Sequence, residues 1–275
     1  GLECLSYWLS DDQELSRLLS MQQFPELLAT LKAFAMQDCT SASATALGHL
    51  SSLVPQLARG ARSLPQAHGQ WESLLVPTLH ILADIAKEGS QKSSAQAFVY
   101  LQRLLLERST DLALPWEQLP FSVWKECLEQ VLFPLLQASQ PTNTASAQNA
   151  GGLSPDAAGS RQASAAQLIC RVVLTHLSDW LKSSPDGFPV LYLRLLHILV
   201  SEASAPCPAR EPLAESLKNL LLVTSADPTF SKLASPQQGE TLLEAAWSVV
   251  SPALPELRKE VALILDPEAA EAAAP

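Results

Sequence analysis

The sequence predicts an all-α protein whose helix pairs stack as an α-solenoid of the HEAT or armadillo kind. Apolar residues recur at the spacing of one helix face along nearly the whole chain, and the strict alternation of half-buried strands is missing. About eleven helical segments follow one another, joined by short polar or proline-containing turns. Because no clean repeat period is visible, a closed helical bundle is the alternative architecture.

The first half of the chain carries helix start and stop signals. Ser10 and the acidic residues after it cap a first helix, because a serine oxygen accepts from free amides and acids favour the positive helix end. Gly89 is well placed to end a later helix. The helices predicted after the first span residues 25–36, 41–59, 70–87, 93–108 and 124–136.

The segment WKECLEQVLFPLL, residues 124–136, combines a helical stripe with a proline. Pro134 removes a backbone donor and crowds the carbonyl of Gln130, so we expect the helix to bend or end there. The cost is about 3 kcal/mol unless packing offsets it. Pro77 repeats the arrangement in WESLLVPTLHIL. The face expected to be buried is formed by Trp124, Leu128, Val131, Leu132 and Leu135.

Residues 139–163 form a low-complexity stretch dominated by Ser, Ala, Gly, Asn, Pro and Gln. Leu153 is its one large apolar residue, so we expect a disordered insert between helices. The sequence therefore predicts a first helical segment at 1–138, the insert at 139–163, a second helical segment at 164–266 and a disordered tail at 267–275. The helices predicted in the second segment span residues 165–182, 188–202, 212–224, 240–250 and 255–265.

Composition narrows the class of protein. The chain has 275 residues, of which 47% are hydrophobic, so it has ample material for a core. Its net charge of −10 argues against a broad nucleic-acid surface. The longest apolar run, residues 189–200, is too short to span a bilayer. The amphipathic helices have acidic or neutral polar faces, which favours burial in a core over an interfacial membrane helix, although peripheral membrane association stays open.

Groups that could carry chemistry are sparse. The five histidines occur singly, and no HExxH, phosphate-loop, dinucleotide or nucleophile-elbow motif is present. Cys127 has only Lys125 nearby to lower its pKa, so a packing role is favoured over that of a nucleophile. The sequence therefore predicts no catalytic residue, no cofactor, no metal site and no small-molecule substrate. An unrecognised hydrolase or metal enzyme would need polar groups gathered in one pocket.

Three stretches match one family in the same order. Residues 124–136 resemble the signature W-x-x-C-F-x-x-V-(L/I)-F-P-L-L, residues 215–223 (ESLKNLLLV) resemble E-L-L-K-N-(I/L)-L-L-V, and Trp247 with PELRKE at 255–260 resembles W-x7-P-x-(L/M)-R-x-E. These motifs resemble the region downstream of the catalytic domain in large Arf guanine-nucleotide exchange factors of the GBF/GNOM class. Leu128 departs from the phenylalanine of the first motif.

The motif positions are interpreted as packing positions. Lys218, Asn219, Arg258 and Glu260 are further expected to make polar contacts between helices. None of these positions is predicted to be catalytic. The packing positions are Trp124, Cys127, Val131, Phe133, Pro134, Leu217, Asn219, Leu222, Trp247, Pro255, Arg258 and Glu260.

The resemblance implies a function. In such exchange factors a central Sec-seven domain uses a glutamate finger to expel GDP from Arf, and the downstream helical regions take part in membrane recruitment, regulation and subunit contacts. We therefore expect a non-catalytic scaffold, cytoplasmic and peripheral at Golgi or endosomal membranes. Its expected partners are other regions of the same exchange factor and small GTPases. The alternative is a HEAT or armadillo adaptor from another trafficking or scaffolding system.

Overall fold

A computed structural model describes residues 24–37, 40–63, 70–106, 119–137, 155–236 and 239–265. Within these ranges the regular elements are helices, and one isolated antiparallel bridge joins Ala234 and Thr241. The predicted all-α class of packed helix pairs is therefore confirmed. The chain divides into two compact units, Gly1–Leu135 and Leu136–Pro275. The first predicted helix, near Ser10, lies outside the described residues.

Helices α1, α2 and α3 of the first unit each contact both the next helix and the one after it. One row contains α1, α3 and the segment that starts with α5, and a second row contains α2 and α4. This pattern is typical of stacked helix pairs. The helices are α1 (Phe24–Ala35), α2 (Thr40–Ser63), α3 (Gln70–Glu88), α4 (Gln91–Leu106), α5 (Phe121–Glu126) and α6 (Phe133–Gln137), with a π-helical turn at Cys127–Leu132 between the last two. The last two residues of α6, Leu136 and Gln137, belong to the second unit.

Polar side chains connect the helices of the first unit, both between the two rows and within each row. The buried Ser43 hydroxyl on α2 donates to the carbonyl of Ala35 at 2.8 Å and lies 3.0 Å from the hydroxyl of Ser93 on α4. The Lys32 ammonium on α1 pairs with the Asp84 carboxylate on α3 at 2.6 Å. Because both serines are satisfied, these contacts let helix ends approach closely without an unpaired buried hydroxyl.

A π-helical turn resolves the conflict expected at Pro134. The backbone N–H of Phe133 donates to the carbonyl of Leu128, five residues earlier. The backbone hydrogen bonds have therefore changed from α-helical to π-helical spacing before Pro134. Pro134 has no N–H to contribute to these hydrogen bonds. The helix then continues to Gln137, so of the two expected outcomes, a bend or an end at the proline, the end does not occur.

Gly89 directly follows the last residue of α3, and the structure predicts that a larger residue at this position destabilises the protein. A Cβ at this position would lie 2.5 Å from the carbonyl oxygen of Ile85, which belongs to the backbone and cannot swing away. Gly89→Ala should therefore lower the free energy of unfolding by about 1 to 3 kcal/mol, measured by urea denaturation. Gly48→Ala is the matched control, because a Cβ in the middle of α2 meets no atom within 4 Å.

The control change should be neutral or stabilise the protein by up to about 1 kcal/mol, since alanine is the better helix former. Equal effects of the two substitutions would show that the contact with Ile85 is not what requires a glycine at position 89.

The second unit also stacks its helices in rows. Contacts run from α7 to α9 to α11 in one row and from α8 to α10 in the other, and α8 packs against α9. The helices are α7 (Pro155–Ser183), α8 (Gly187–Ser204), α9 (Arg210–Ala226), α10 (Leu242–Val250) and α11 (Pro255–Leu265), with a 3-10 turn at Phe230–Lys232.

The start of α7 corrects the predicted disordered insert. The helix begins at Pro155, so residues 155–163 are helical rather than part of a disordered stretch. Two packing contacts explain the difference: Gly159 approaches the turn at Pro208 and Ala209 closely, and Gln162 is buried. Residues 139–154 of the predicted insert and the whole predicted tail, 267–275, lie outside the described residues.

Four aromatic rings build the core of the second unit. Phe230, from the 3-10 turn, meets Tyr192 edge-on at 4.9 Å between centroids and Phe188 at 6.4 Å. Trp180 on α7 packs on Phe188 at 6.1 Å. The Tyr192 hydroxyl lies 3.0 Å from the Thr224 hydroxyl on α9, which satisfies the polar end of the buried ring. This cluster connects α7, α8 and α9 with the turn that precedes α10.

Candidate functional site

The first family motif lies in the first unit and is almost entirely buried. Trp124, Cys127, Val131 and Phe133 are each 2% exposed or less, and Pro134 is half-buried. Helix α3 packs against α5 and the π turn, which carry Trp124, Cys127 and Val131. The motif residues therefore contribute to helix packing, and they do not form a surface cleft.

Burial also decides the chemistry of Cys127. Removal from water raises the pKa of the Cys127 thiol to about 12, and the neighbouring Glu126 carboxylate adds to the rise. Burial likewise raises the pKa of Cys170 to about 12. Both thiols are protonated at neutral pH, which does not suit a nucleophile.

The second motif lies on α9 and contacts α11. Leu217 is fully buried and Leu222 is half-buried. The Lys218 ammonium donates to Glu260 Oε2 on α11 at 2.7 Å, and this hydrogen bond raises the pKa of Lys218. Asn219 donates to Glu215 of its own helix at 3.4 Å. Within the described residues it makes no hydrogen bond to another helix, in contrast to the prediction from the sequence.

The third motif holds α11 against its neighbours. Thr241 caps α10 through a capping box with Glu244, and α10 carries the buried Trp247. The Arg258 guanidinium of α11 lies 5.8 Å from the centre of the Trp247 ring, within the range of a cation–π contact. Pro255 is the first residue of α11, where a missing N–H costs nothing.

The geometry explains the spacing of the third motif. Helix α11 buries only Leu257 and Val261, so its apolar contact is small. Arg258 reaches α10 and Glu260 reaches α9 from the same helix. Exposed ion pairs stabilise proteins little. Arg258 and Glu260 therefore mainly specify where α11 packs, and Leu257 and Val261 supply the apolar contact.

The second unit contains a buried polar cluster that the sequence alone does not predict. Gln162 Nε2 on α7 donates to Glu202 Oε2 on α8 at 2.7 Å and to the carbonyl of Leu136 at 3.0 Å. Gln162 Oε1 is buried and has no hydrogen-bond partner among the described residues. Burial raises the pKa of the Glu202 carboxyl, and the Gln162 hydrogen bond opposes this rise.

The Glu202 carboxyl should make stability depend on pH. Its folded pKa lies above the ordinary value of 4.5, so its contribution is full below that pH and is lost as the pH rises through the folded pKa. Glu202→Gln should raise the Tm at neutral pH, because the neutral amide has no charge to desolvate, and it should flatten the pH dependence.

Thermal melts from acidic to mildly alkaline pH test this expectation, with Glu211→Gln on the exposed face of α9 as the control. If Glu202→Gln keeps the pH dependence of the parent, the buried carboxyl is not its source.

Sequence reasoning missed two further groups of residues. Phe230 lies in none of the helices that the sequence predicts, yet it is fully buried. The Asp227 side chain accepts from the N–H groups of Thr229 and Phe230 at 2.7 and 3.2 Å, and this Asx turn is a signal that the sequence D-P-T-F contains. Gln162 and Glu202 offer no such signal, because polar residues in helices are usually exposed.

Two classes of site are not found in the described part of the chain. No group of three or more His, Cys, Asp or Glu side chains there is arranged to hold a metal ion. None of the helices in the described ranges combines the length and the apolar character needed to cross a membrane.

Comparison with known proteins identifies the region. Residues 71–257 match the family described as "GBF1-like, tetratrico peptide repeat region". The chain is 26% identical over 193 residues to the Golgi-specific brefeldin A-resistance guanine nucleotide exchange factor 1 homolog of Caenorhabditis elegans. That alignment covers 69% of this chain and 9% of the relative, so the chain spans less than a tenth of that protein. No solved structure matches the chain at a significant level.

The family match covers about two thirds of the chain, and it contains all of the first and second motifs and the third motif as far as Leu257. Tetratricopeptide repeats stack helix pairs, as HEAT and armadillo repeats do, so the match agrees with the observed packing. The resemblance inferred from the three motifs is confirmed, and the chain belongs to the GBF1-like tetratricopeptide repeat region family of large Arf guanine-nucleotide exchange factors.

Proposed function

We propose that this chain is a non-catalytic scaffold region of a large Arf guanine-nucleotide exchange factor that acts in vesicle trafficking at Golgi and endosomal membranes. The observation that supports this most is the use of the motif residues. Trp124, Cys127 and Leu217 are buried against neighbouring helices, and Arg258 and Glu260 connect α11 to α10 and α9. Among the described residues the motifs bring no acid, base and nucleophile together.

The name of the relative supports the proposed location at the Golgi and the proposed place within an exchange factor. It describes a Golgi-specific guanine nucleotide exchange factor, of which the aligned region is 9%. A region of that size within a much longer protein suits a role in recruitment, regulation or subunit contact. The proposed partners are other regions of the same exchange factor, small GTPases of the Arf or related families, and the membrane surface to which they bind.

Two measurements test the proposal. The purified chain, mixed with Arf loaded with a fluorescent GDP analogue, should not accelerate nucleotide release, whereas an isolated Sec-seven domain should. The chain fused to a fluorescent protein should concentrate on Golgi or endosomal membranes in cells.

Accelerated release by the chain alone would overturn the non-catalytic assignment. A distribution identical to that of the fluorescent protein alone would overturn the targeting role.

A further inference from the structure

A groove lies between α9 and α11 in the second unit. It encloses about 410 Å³, a volume typical of sites that take a small ligand or a few side chains. Leu257 forms the buried part of its floor, and Ala214 and Leu254 are half-buried beside it. The groove is lined by Arg210, Glu211, Ala214, Glu215, Lys218, Ala253, Leu254, Pro255, Glu256, Leu257 and Glu260.

Glutamates line both walls of this groove. Glu211 and Glu215 are four residues apart on α9, and Glu256 and Glu260 are four residues apart on α11, so each pair occupies one helix face about 5 to 6 Å apart at Cβ. All four are exposed. Against these four carboxylates the lining residues provide two cations, Arg210 and Lys218, which leaves a net charge of −2.

The two walls differ in how their charge is balanced. On α11, Glu260 pairs with Lys218 at 2.7 Å and Glu256 pairs with Lys259 at 3.1 Å. On α9, neither Glu211 nor Glu215 forms an ion pair within the described ranges. Glu215 accepts the long hydrogen bond from Asn219, and its charge contributes to the raised pKa of Lys218. The α9 wall therefore presents two carboxylates that a partner can bind without breaking an existing ion pair.

We propose that this groove docks a basic segment of a protein partner, with an apolar side chain on the floor and Lys or Arg residues on either side of it. The apolar floor between carboxylates favours such an occupant, because the flanking cations then meet Glu211 and Glu215 while the apolar side chain leaves water. Phosphate-rich partners are disfavoured by the negative charge. The inference deepens the proposed scaffold role by naming the chemistry of a partner.

The test is fluorescence polarisation with a short fluorescein-labelled peptide in which two leucines are flanked by lysines. The double variant Glu211→Lys, Glu215→Lys should weaken binding by about tenfold or more, and binding to the parent chain should weaken as salt is added. Glu88→Lys with Glu126→Lys is the matched control, because it replaces two exposed glutamates outside the groove and changes the net charge equally, from −10 to −6.

The control should bind within about twofold of the parent, a difference of less than half a kcal/mol. Ala214→Leu should also weaken binding, since the longer side chain occupies the floor while every charge is kept. Far-UV circular dichroism verifies that each variant is folded.

Three results would overturn the proposal: no binding to the parent chain, equal weakening by the two double variants, or equal binding of a peptide whose leucines are replaced by serine. Arf and membranes are absent from this assay. Failure of the groove proposal is therefore distinguishable from failure of the proposed scaffold function.

Discussion

Trp124→Ala is expected to lower the free energy of unfolding by about 3 to 5 kcal/mol. The indole is 1% exposed and lies on α5, which packs against α3, so its removal leaves a cavity that the surrounding helices cannot fill without moving. Most single domains are stable by about 5 to 15 kcal/mol, so such a loss is a large fraction of the total. Urea denaturation followed by far-UV circular dichroism measures the change.

Two controls separate the cavity from other effects at the same place. Trp124→Phe keeps an aromatic ring and should cost less than the alanine change. Lys125→Ala alters the exposed neighbour and should stay within about 0.5 kcal/mol of the parent. A loss below about 1 kcal/mol for Trp124→Ala would mean that in solution the ring faces water or a partner instead of α3.

Phe230→Ala should have a comparable effect in the second unit, again about 3 to 5 kcal/mol. Phe230 is fully buried and meets both Phe188 and Tyr192, so the change removes two aromatic contacts in addition to buried area. The same denaturation experiment measures it, and near-UV circular dichroism should show a changed environment for the remaining aromatic rings.

Val223→Ala is the reference substitution, because Val223 is 48% exposed on the outer surface of α9. It should change the free energy of unfolding by about 0.5 kcal/mol or less. If Phe230→Ala has an equally small effect, the 3-10 turn does not anchor the aromatic cluster, and the core of the second unit is formed by α7, α8 and α9 alone.

Trp124 belongs to a family motif, and the motif residues act through helix packing. The third motif is the clearest case. Its tryptophan, arginine and glutamate occur in one short stretch of sequence, yet they serve two different helix contacts. Arg258 on α11 lies over the Trp247 ring of α10, and Glu260 connects α11 to Lys218 on α9. A motif whose residues make contacts between helices identifies a family by the way its helices pack.

Much of the helical framework followed from local sequence. Helix α11 spans Pro255–Leu265, as predicted, and α8 and α9 extend one or two residues beyond their predicted ends. Helical periodicity, proline at the first turn and capping residues act over a few neighbouring positions, so they are readable without tertiary structure. The buried stripe of residues 124–135 was readable for the same reason.

Phe133 shows where local reasoning stops. Phe133 lies nine residues after Trp124. In an uninterrupted α-helix, with a rotation of about 100° per residue, its side chain would point roughly 180° away from the buried face. The π turn inserts one additional residue, which rotates Phe133 toward the core, where it is 2% exposed. A proline alone does not specify whether a helix kinks, ends or widens; the surrounding packing selects among these.

The sequence by itself determined the all-α class, the position of most helices and the family, because each depends on residues close together in the chain. Tertiary structure alone decided that residues 155–163 are helical, that Phe230 enters the core, and that Gln162 meets Glu202 across two helices. It also decided that Lys218 pairs with Glu260, 42 residues away. These features depend on contacts between distant segments, whose free energy is gained only when the helices pack together.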